Sequence, residues 1–170
     1  IQGSDGDDTI TGGTVASVID GGTGNDVITM GTAGDTITGG AGNDVITGGG
    51  GHDLLSGGGG TDNFVFATGS SPVSGGQTGV AVINDWNSTD HLDFQITPTA
   101  FHTDATGTSF ADALTKANAL FVANSGENFA AVQVGSDVIV FVDTTNDNVA
   151  DDAVILTGRA LTDISGSSII

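Results

Sequence analysis

A large apolar residue returns at every ninth position through the first third of the chain: Ile10, Ile19, Ile28, Ile37, Ile46, Leu55 and Phe64. Residues 3–65 divide without gaps into seven nonapeptides, GSDGDDTIT, GGTVASVID, GGTGNDVIT, MGTAGDTIT, GGAGNDVIT, GGGGHDLLS and GGGGTDNFV. Their template is G-G-x-G-x-D-x-U-x, where U is the large apolar residue. A fixed period of this kind marks stacked units that cannot bury a face alone. The x-U-x tripeptide is too short for a helix and fits a short strand with one inward side chain. The six residues before it must reverse the chain, and glycine tolerates the positive φ angles that turns demand. Two nonapeptides then make one flattened coil of turn, strand, turn, strand. Successive coils stack with parallel strands, Ile over Ile.

Past Phe64 the glycine density falls and the period lapses. DNFVFATG continues as a strand, and residues 67–79 read as a Gly/Ser loop. VAVINDWNSTDHLDFQI follows, with apolar residues at Val80, Val82, Ile83, Trp86, Leu92, Phe94 and Ile96. Residues 109–123, SFADALTKANALFVA, predict a helix with Ser109 as N-cap and Asp112 three residues on. Its apolar face runs through Phe110, Leu114, Ala117 and Phe121. FAAVQV and DVIVFVD flank Gly135-Ser136, a hairpin signal, and AVILTG predicts a further strand. The chain thus divides into a repeat region, 1–66, and a β-rich capping region with one α-helix, 67–170.

The repeat core is thin. Ordering so many glycines costs more backbone entropy than one apolar residue per nonapeptide offsets. Another source of free energy is required, and the sixth position supplies it. There stand Asp8, Ser17, Asp26, Asp35, Asp44, Asp53 and Asp62. Alternate nonapeptides share an edge of the stack, so Asp8, Asp26, Asp44 and Asp62 line one edge, and Ser17, Asp35 and Asp53 the other. Neighbours on an edge are one strand spacing apart, about 4.8 Å. Carboxylates that close repel unless a cation lies between them. The repeats hold nine Asp and no Lys or Arg. Carboxylates together with backbone carbonyls exposed at Gly21, Gly24, Gly39, Gly42, Gly48, Gly51, Gly57 and Gly60 form an oxygen-only ligand set. That set suits a hard ion taking roughly six to eight oxygens, Ca²⁺. Folding and metal binding are then coupled.

Overall charge sharpens this reading. Lys116 and Arg159 stand against 21 acidic residues, and the formal net charge is −19. That excludes a nucleic-acid surface of the usual kind, which needs a basic patch, and argues against docking on an anionic membrane. The chain has no cysteine, so disulfides do not staple it. No apolar run is long enough to cross a bilayer. No classical signal peptide is visible, and the start at Ile1 rather than Met reads as a piece of a longer protein.

The nonapeptides resemble those of RTX proteins, which type I systems of Gram-negative bacteria secrete. Five copies keep Gly at the fourth position and Asp at the sixth; GGTVASVID carries Val15 and Ser17 there, and MGTAGDTIT carries Met30 and Ala33 in place of glycines. The resemblance implies a mainly β fold, a right-handed parallel β-roll followed by a capping region. The ion count follows from the carboxylates: three on the edge of Asp8, Asp26, Asp44 and Asp62, and one between Asp35 and Asp53, about four in all. VAVINDWNSTDHLDFQI is similar to the stretch closing many RTX rolls, where Asp85 and Asp90 match the acidic positions and add a further Ca²⁺ site; an Asp/Asn-rich turn between strands is the alternative. DTTNDNVADD places Asp143, Thr145, Asp147 and Asp151 at the first, third, fifth and ninth places of an EF-hand-like loop. Val154 stands where the bidentate Glu belongs. A hairpin turn is the favoured reading there. The ending Ser167, Ser168, Ile169, Ile170 resembles the uncleaved export signals of this family.

Nothing points to catalysis. There is no cysteine nucleophile and no HExxH, and His52, His91 and His102 show no metal spacing. Acid–base pairs do not recur every nine residues. The expectation is a non-enzymatic, calcium-folded module of a secreted or surface-layer-like protein at or outside the cell surface. Its expected partners are calcium and the type I secretion machinery, with self-association or a cell-surface polysaccharide as further ones. The alternative is the non-catalytic tail of a secreted enzyme, a protease, lipase or polysaccharide epimerase, with its active site upstream. A carbohydrate-binding role ranks low, because Trp86 is the only Trp and there is no Tyr.

Overall fold

The computed structural model describes residues 1–124 and 126–170. Glycine-rich turns and short strands alternate through the first part: β1 (Gln2–Asp5), β2 (Thr9–Thr11), β3 (Val18–Thr23), β4 (Val27–Thr29), β5 (Thr36–Ala41), β6 (Val45–Thr47), β7 (Leu54–Gly59) and β8 (Asn63–Val65). Odd strands join one sheet and even strands the other, all parallel within this part. The register matches the predicted coil: Ile10 pairs with Ile28, Ile28 with Ile46 and Ile46 with Phe64 on one sheet, and Ile19 with Ile37 and Ile37 with Leu55 on the other. These residues are at most 8 % exposed. The fold is a parallel β-roll.

Strand length departs from the expectation of uniform tripeptides. Even strands span three residues, whereas β3, β5 and β7 span six. The long strands run on into the next G-G-x, where Gly22 pairs with Gly40 and Gly40 with Gly58. Glycines stacked without side chains let the backbones stay hydrogen-bonded past the apolar residue.

Stacking also continues beyond the repeats. β9 (Ala81–Ile83) pairs with β7, and β10 (His91–Asp93) pairs with β8. They place Ile83 beside Leu55 and Leu92 beside Phe64. Residue 66 is therefore a boundary of sequence pattern rather than of packing. The inserted loop holds a 3₁₀ segment, Val73–Gly79. It is tied down by buried Asp152, which accepts the N–H groups of Gly69 (2.8 Å) and Ser71 (3.2 Å).

The remaining elements are β11 (Phe101–Gly107), α1 (Phe110–Ala123), β12 (Phe129–Val134), β13 (Asp137–Val142) and β14 (Asp152–Leu156). They extend the odd-numbered sheet in the order β9-β14-β13-β12-β11, with antiparallel pairing among β14, β13 and β12. One face of this extension joins the roll core through Phe129, Val140 and Val154. The other is covered by α1, whose Phe110, Ala113, Ala117 and Phe121 meet Ala130, Val132, Ile139 and Phe141. Burial on both faces explains the nearly unbroken apolar runs of β13 and β14. The helix starts as predicted, with Ser109 Oγ accepting the Asp112 N–H at 3.2 Å. Ala113 takes the fully buried place expected for Leu114, which packs at the margin.

Aromatic rings link roll to cap: Phe66 stacks on Phe94 at 5.2 Å, and Phe94 tilts against Phe129 at 5.7 Å. The last residues lie on the roll too. Ile169 is buried and bridges to Leu92, and the Ile170 N–H donates to the Leu92 carbonyl at 3.0 Å. Trp86 is fully buried and offers no platform for a sugar. No helix among the described residues is long and apolar enough to cross a membrane.

Candidate metal centre

The turns that alternate with the strands stack into two edges, and each repeats one geometry. At Gly40 the backbone φ is +122°, and a Cβ would run into the carbonyl of Gly22 in the coil before it. Only glycine fits such a position. Gly24, Gly42, Gly51 and Gly60 hold the outer corners, also at positive φ. Stacked this way, the turns aim carbonyl oxygens and sixth-position carboxylates along the edge.

The carboxylates do not simply face one another. On the first edge the Asp8 N–H donates to Asp26 Oδ1 (2.8 Å), the Asp26 N–H to Asp44 Oδ1 (2.8 Å), the Asp44 N–H to Asp62 Oδ1 (2.9 Å) and the Asp62 N–H to Asp90 Oδ1 (3.1 Å). On the second edge Ser17 donates to Asp35 Oδ1 (2.7 Å) and Asp35 to Asp53 Oδ1 (2.8 Å). Sequence reasoning missed this ladder. In Asp26, Asp35, Asp44 and Asp62 one oxygen holds a backbone amide of the preceding coil, and the other is left over. A second ladder runs outside the first: Asn25 N–H to Asp7 Oδ1 (2.7 Å), Asn43 N–H to Asn25 Oδ1 (2.8 Å) and Thr61 N–H to Asn43 Oδ1 (2.8 Å).

The leftover oxygens test the fit of a cation. Oδ2 of Asp8, Asp26, Asp35, Asp44 and Asp62 is buried and has no hydrogen-bond partner. A Cβ built on Gly21 would meet both Asp26 Oδ2 and the Gly39 carbonyl; one on Gly39 would meet Asp44 Oδ2 and the Gly57 carbonyl; one on Gly3 would meet Asp8 Oδ2 and the Gly21 carbonyl. Gly57 sits in the same way against Asp62 Oδ2, and Gly48 lies 2.5 Å from Asp53 Oδ2 by the same construction. Each cradle holds acceptors only. A buried carboxylate oxygen without a donor is costly, and neither Lys116 nor Arg159 belongs to the roll. A hard cation satisfies the set. No three His, Asp or Glu side chains converge on one point among the described residues, so each such site has to draw on backbone carbonyls.

Proton affinities carry the same signature. Burial first, and then the neighbouring carboxylates, push Asp53 and Asp62 up to about 6. Burial also raises Asp44 and Asp90. Without a counter-ion, these sites resist holding their charge.

Asp90 extends the first-edge ladder across a longer coil, 28 residues after Asp62 rather than 18. Its carboxylate also holds the Asn87 N–H at 2.8 Å. Asp85 is used differently. Its oxygens accept from Ser56 Oγ (2.5 Å), Gly57 N–H (3.0 Å) and Gly58 N–H (2.8 Å), holding the start of the seventh turn. In the 143–151 loop, Asp143 accepts the N–H groups of Asp147 (3.2 Å) and Asn148 (2.7 Å), and Asp151 those of Thr144 and Thr145 (2.9 Å each). Val154, at the twelfth place, is buried in β14. These carboxylates hold the hairpin turn together. His52 is exposed and bonds the Val80 carbonyl at 2.6 Å.

A comparison with curated proteins gives no match. Among solved structures, the chain is similar to the AlgE6R3 subunit from the Azotobacter vinelandii mannuronan C5-epimerase, at 26% identity over 99% of this chain and 80% of that one, with a TM-score of 0.50. The AlgE6R2 subunit of the same epimerase aligns at 24% identity over 100% of this chain and 91% of that one, with a TM-score of 0.46. The family model for the RTX calcium-binding nonapeptide repeat, in four copies, matches residues 2–32 and 30–64. The period, the glycine cradles and the family match agree: residues 2–64 are RTX nonapeptide repeats, and they bind Ca²⁺.

Proposed function

We propose that this chain is a non-catalytic RTX module that calcium folds outside the cell, after type I secretion of the protein that carries it. The observation behind this reading is the set of five buried, partnerless Asp Oδ2 oxygens, four of them against the leading glycine of their own turn. Calcium supplies the positive charge that these acceptor-only junctions lack. On the first edge Asp8, Asp26, Asp44 and Asp62 hold three ions with carbonyls of the stacked glycine turns, and on the second edge Asp35 and Asp53 hold one. Asp62 and Asp90, with Asp85 closing the turn, frame a further junction. Residues 1–66 carry the repeat sites, and residues 67–170 the further junction, the cap and the export signal.

Where calcium is scarce, the carboxylates repel and the turns stay open, so the chain can thread an export channel. Where it is plentiful, at the ~0.1–1 mM affinities of extracellular modules, the turns close. Closure buries Ile169 against the roll and removes the C-terminal signal from reach. Circular dichroism with calcium and with excess chelator tests this. A β-spectrum of equal strength in both would defeat the reading.

Two parents fit the module. A surface-layer-like protein would use the calcium sites for assembly, with a second copy or a cell-surface polysaccharide as partner. The likeness to a subunit of an epimerase favours the other, a secreted enzyme whose active site lies elsewhere in the protein. Light scattering in calcium separates them: growth into large assemblies supports the first, and a stable monomer the second.

A further inference from the structure

The two edges of the roll are not equivalent, and the difference is concentrated where the second nonapeptide meets the fourth. On the first edge, the space beside the leading glycines Gly3, Gly21 and Gly39 is bounded by the Asp Oδ2 of the same turn and a carbonyl of the next coil. Gly12 leads the second turn and has neither. A Cβ there would meet the Met30 side chain, with Sδ at 2.5 Å. Met30 replaces the leading glycine of the fourth nonapeptide. It is 6 % exposed and belongs to the roll core. The same junction also lacks the carboxylate of its first turn, because Ser17 stands at the sixth position, while Asp35 of the other turn spends its Oδ1 on the Ser17 N–H. Ser17 turns its hydroxyl onto the Val15 carbonyl at 2.9 Å.

We propose that Met30 replaces calcium at this junction: its thioether fills the space between the second and fourth turns, which stays free of ions while the junctions of the first edge bind them. This rests on the calcium reading above. The two departures from the repeat are complementary. Without a carboxylate at 17 only the Asp35 charge remains beside the junction, with its Oδ1 held by the Ser17 N–H, and a flexible thioether suits an irregular gap. An aspartate at 17 with Met30 kept would bury a carboxylate against an apolar group. Stacking persists here without an ion because the Ser17 N–H still reaches Asp35 Oδ1 and the Gly12 N–H still reaches the Thr29 carbonyl (2.8 Å).

The test is calcium stoichiometry of the whole chain by isothermal titration, with circular dichroism reporting folding. Ser17→Asp alone binds the parental number of ions, because Met30 still fills the space. Ser17→Asp with Met30→Gly binds one ion more. An extra ion in the single variant, or a parental count in a folded double variant, would overturn the proposal. Should the double variant not fold, the single variant decides by the same criterion. A parent chain that binds no calcium would instead remove the calcium reading itself.

Discussion

The roll and the cap are joined by one core yet held by different forces. In the roll, each coil contributes two inward aliphatics, such as Ile28 and Ile37, between stretches of glycine. In the cap, β13 buries Val138 through Val142 without a gap, and α1 covers the far face. Apolar burial stabilises the cap in the ordinary way. The roll buries too little for its glycine content and needs the charge of an ion at its edges. A repeat can therefore be calcium-dependent while its neighbour in the same sheet is not.

Removing calcium should separate the two regions most. With ion held at ~100 times its Kd, each site contributes about 2.7 kcal/mol to the folded state. In chelator, hydrogen exchange of amides in β3 to β7 should accelerate by ~100-fold or more, while those of β12 and β13 stay protected. Equal loss in both would show one cooperative unit and break the comparison.

Asp44→Ala should come next in size. It strands the Asp26 N–H that Oδ1 now holds and removes the partnerless Oδ2 beside the Gly57 carbonyl. The stranded amide alone costs about 1–3 kcal/mol, and titration should find fewer ions. An unchanged count would remove the sixth-position carboxylates as ligands.

The effect of pH is smaller and opposite in sign with and without calcium. Asp53 and Asp62 rise from 3.8 to about 6 on folding without metal. A raised carboxyl pKa stabilises the fold fully below the unfolded value, and that contribution is lost as pH climbs through about 6. In chelator, circular dichroism should therefore show more β-structure near pH 4 than at pH 7. In calcium, protons compete with the ion, so the calcium midpoint should rise as pH falls below about 6. A midpoint flat from pH 5 to pH 7 would contradict the burial of these groups.

The mildest perturbation belongs to the cap. Ser109→Ala removes the helix N-cap and should cost ~1 kcal/mol. Thermal melting should register the loss in calcium, while the calcium midpoint stays put. A shifted midpoint would mean that the helix and the ion sites are coupled more tightly than this division allows.

The nonapeptide period was enough to predict the coil, its parallel stacking, the inward column from Ile10 to Phe64, and which aspartates share an edge. Strict repetition made this possible: with one apolar residue per nine, no other register buries them all. The helix over 109–123 and the hairpin at Gly135-Ser136 were legible because capping and turn chemistry are local. The amide ladder on Asp Oδ1 was not legible. It depends on a backbone N–H eighteen residues away, and the template gives the carboxylate without its partner. Asp85 and Asp90 look alike in sequence; only packing gives one the turn at Gly57 and Gly58 and the other the fourth rung of the ladder.

Sequence alone thus determined the repeating unit, its charge problem and the hard cation that solves it, because these follow from residue type and spacing. Tertiary structure decided where the roll ends, how Ile169 and Trp86 are buried, and that Met30 lies across Gly12. Those outcomes hang on contacts between residues far apart along the chain, which no local period encodes.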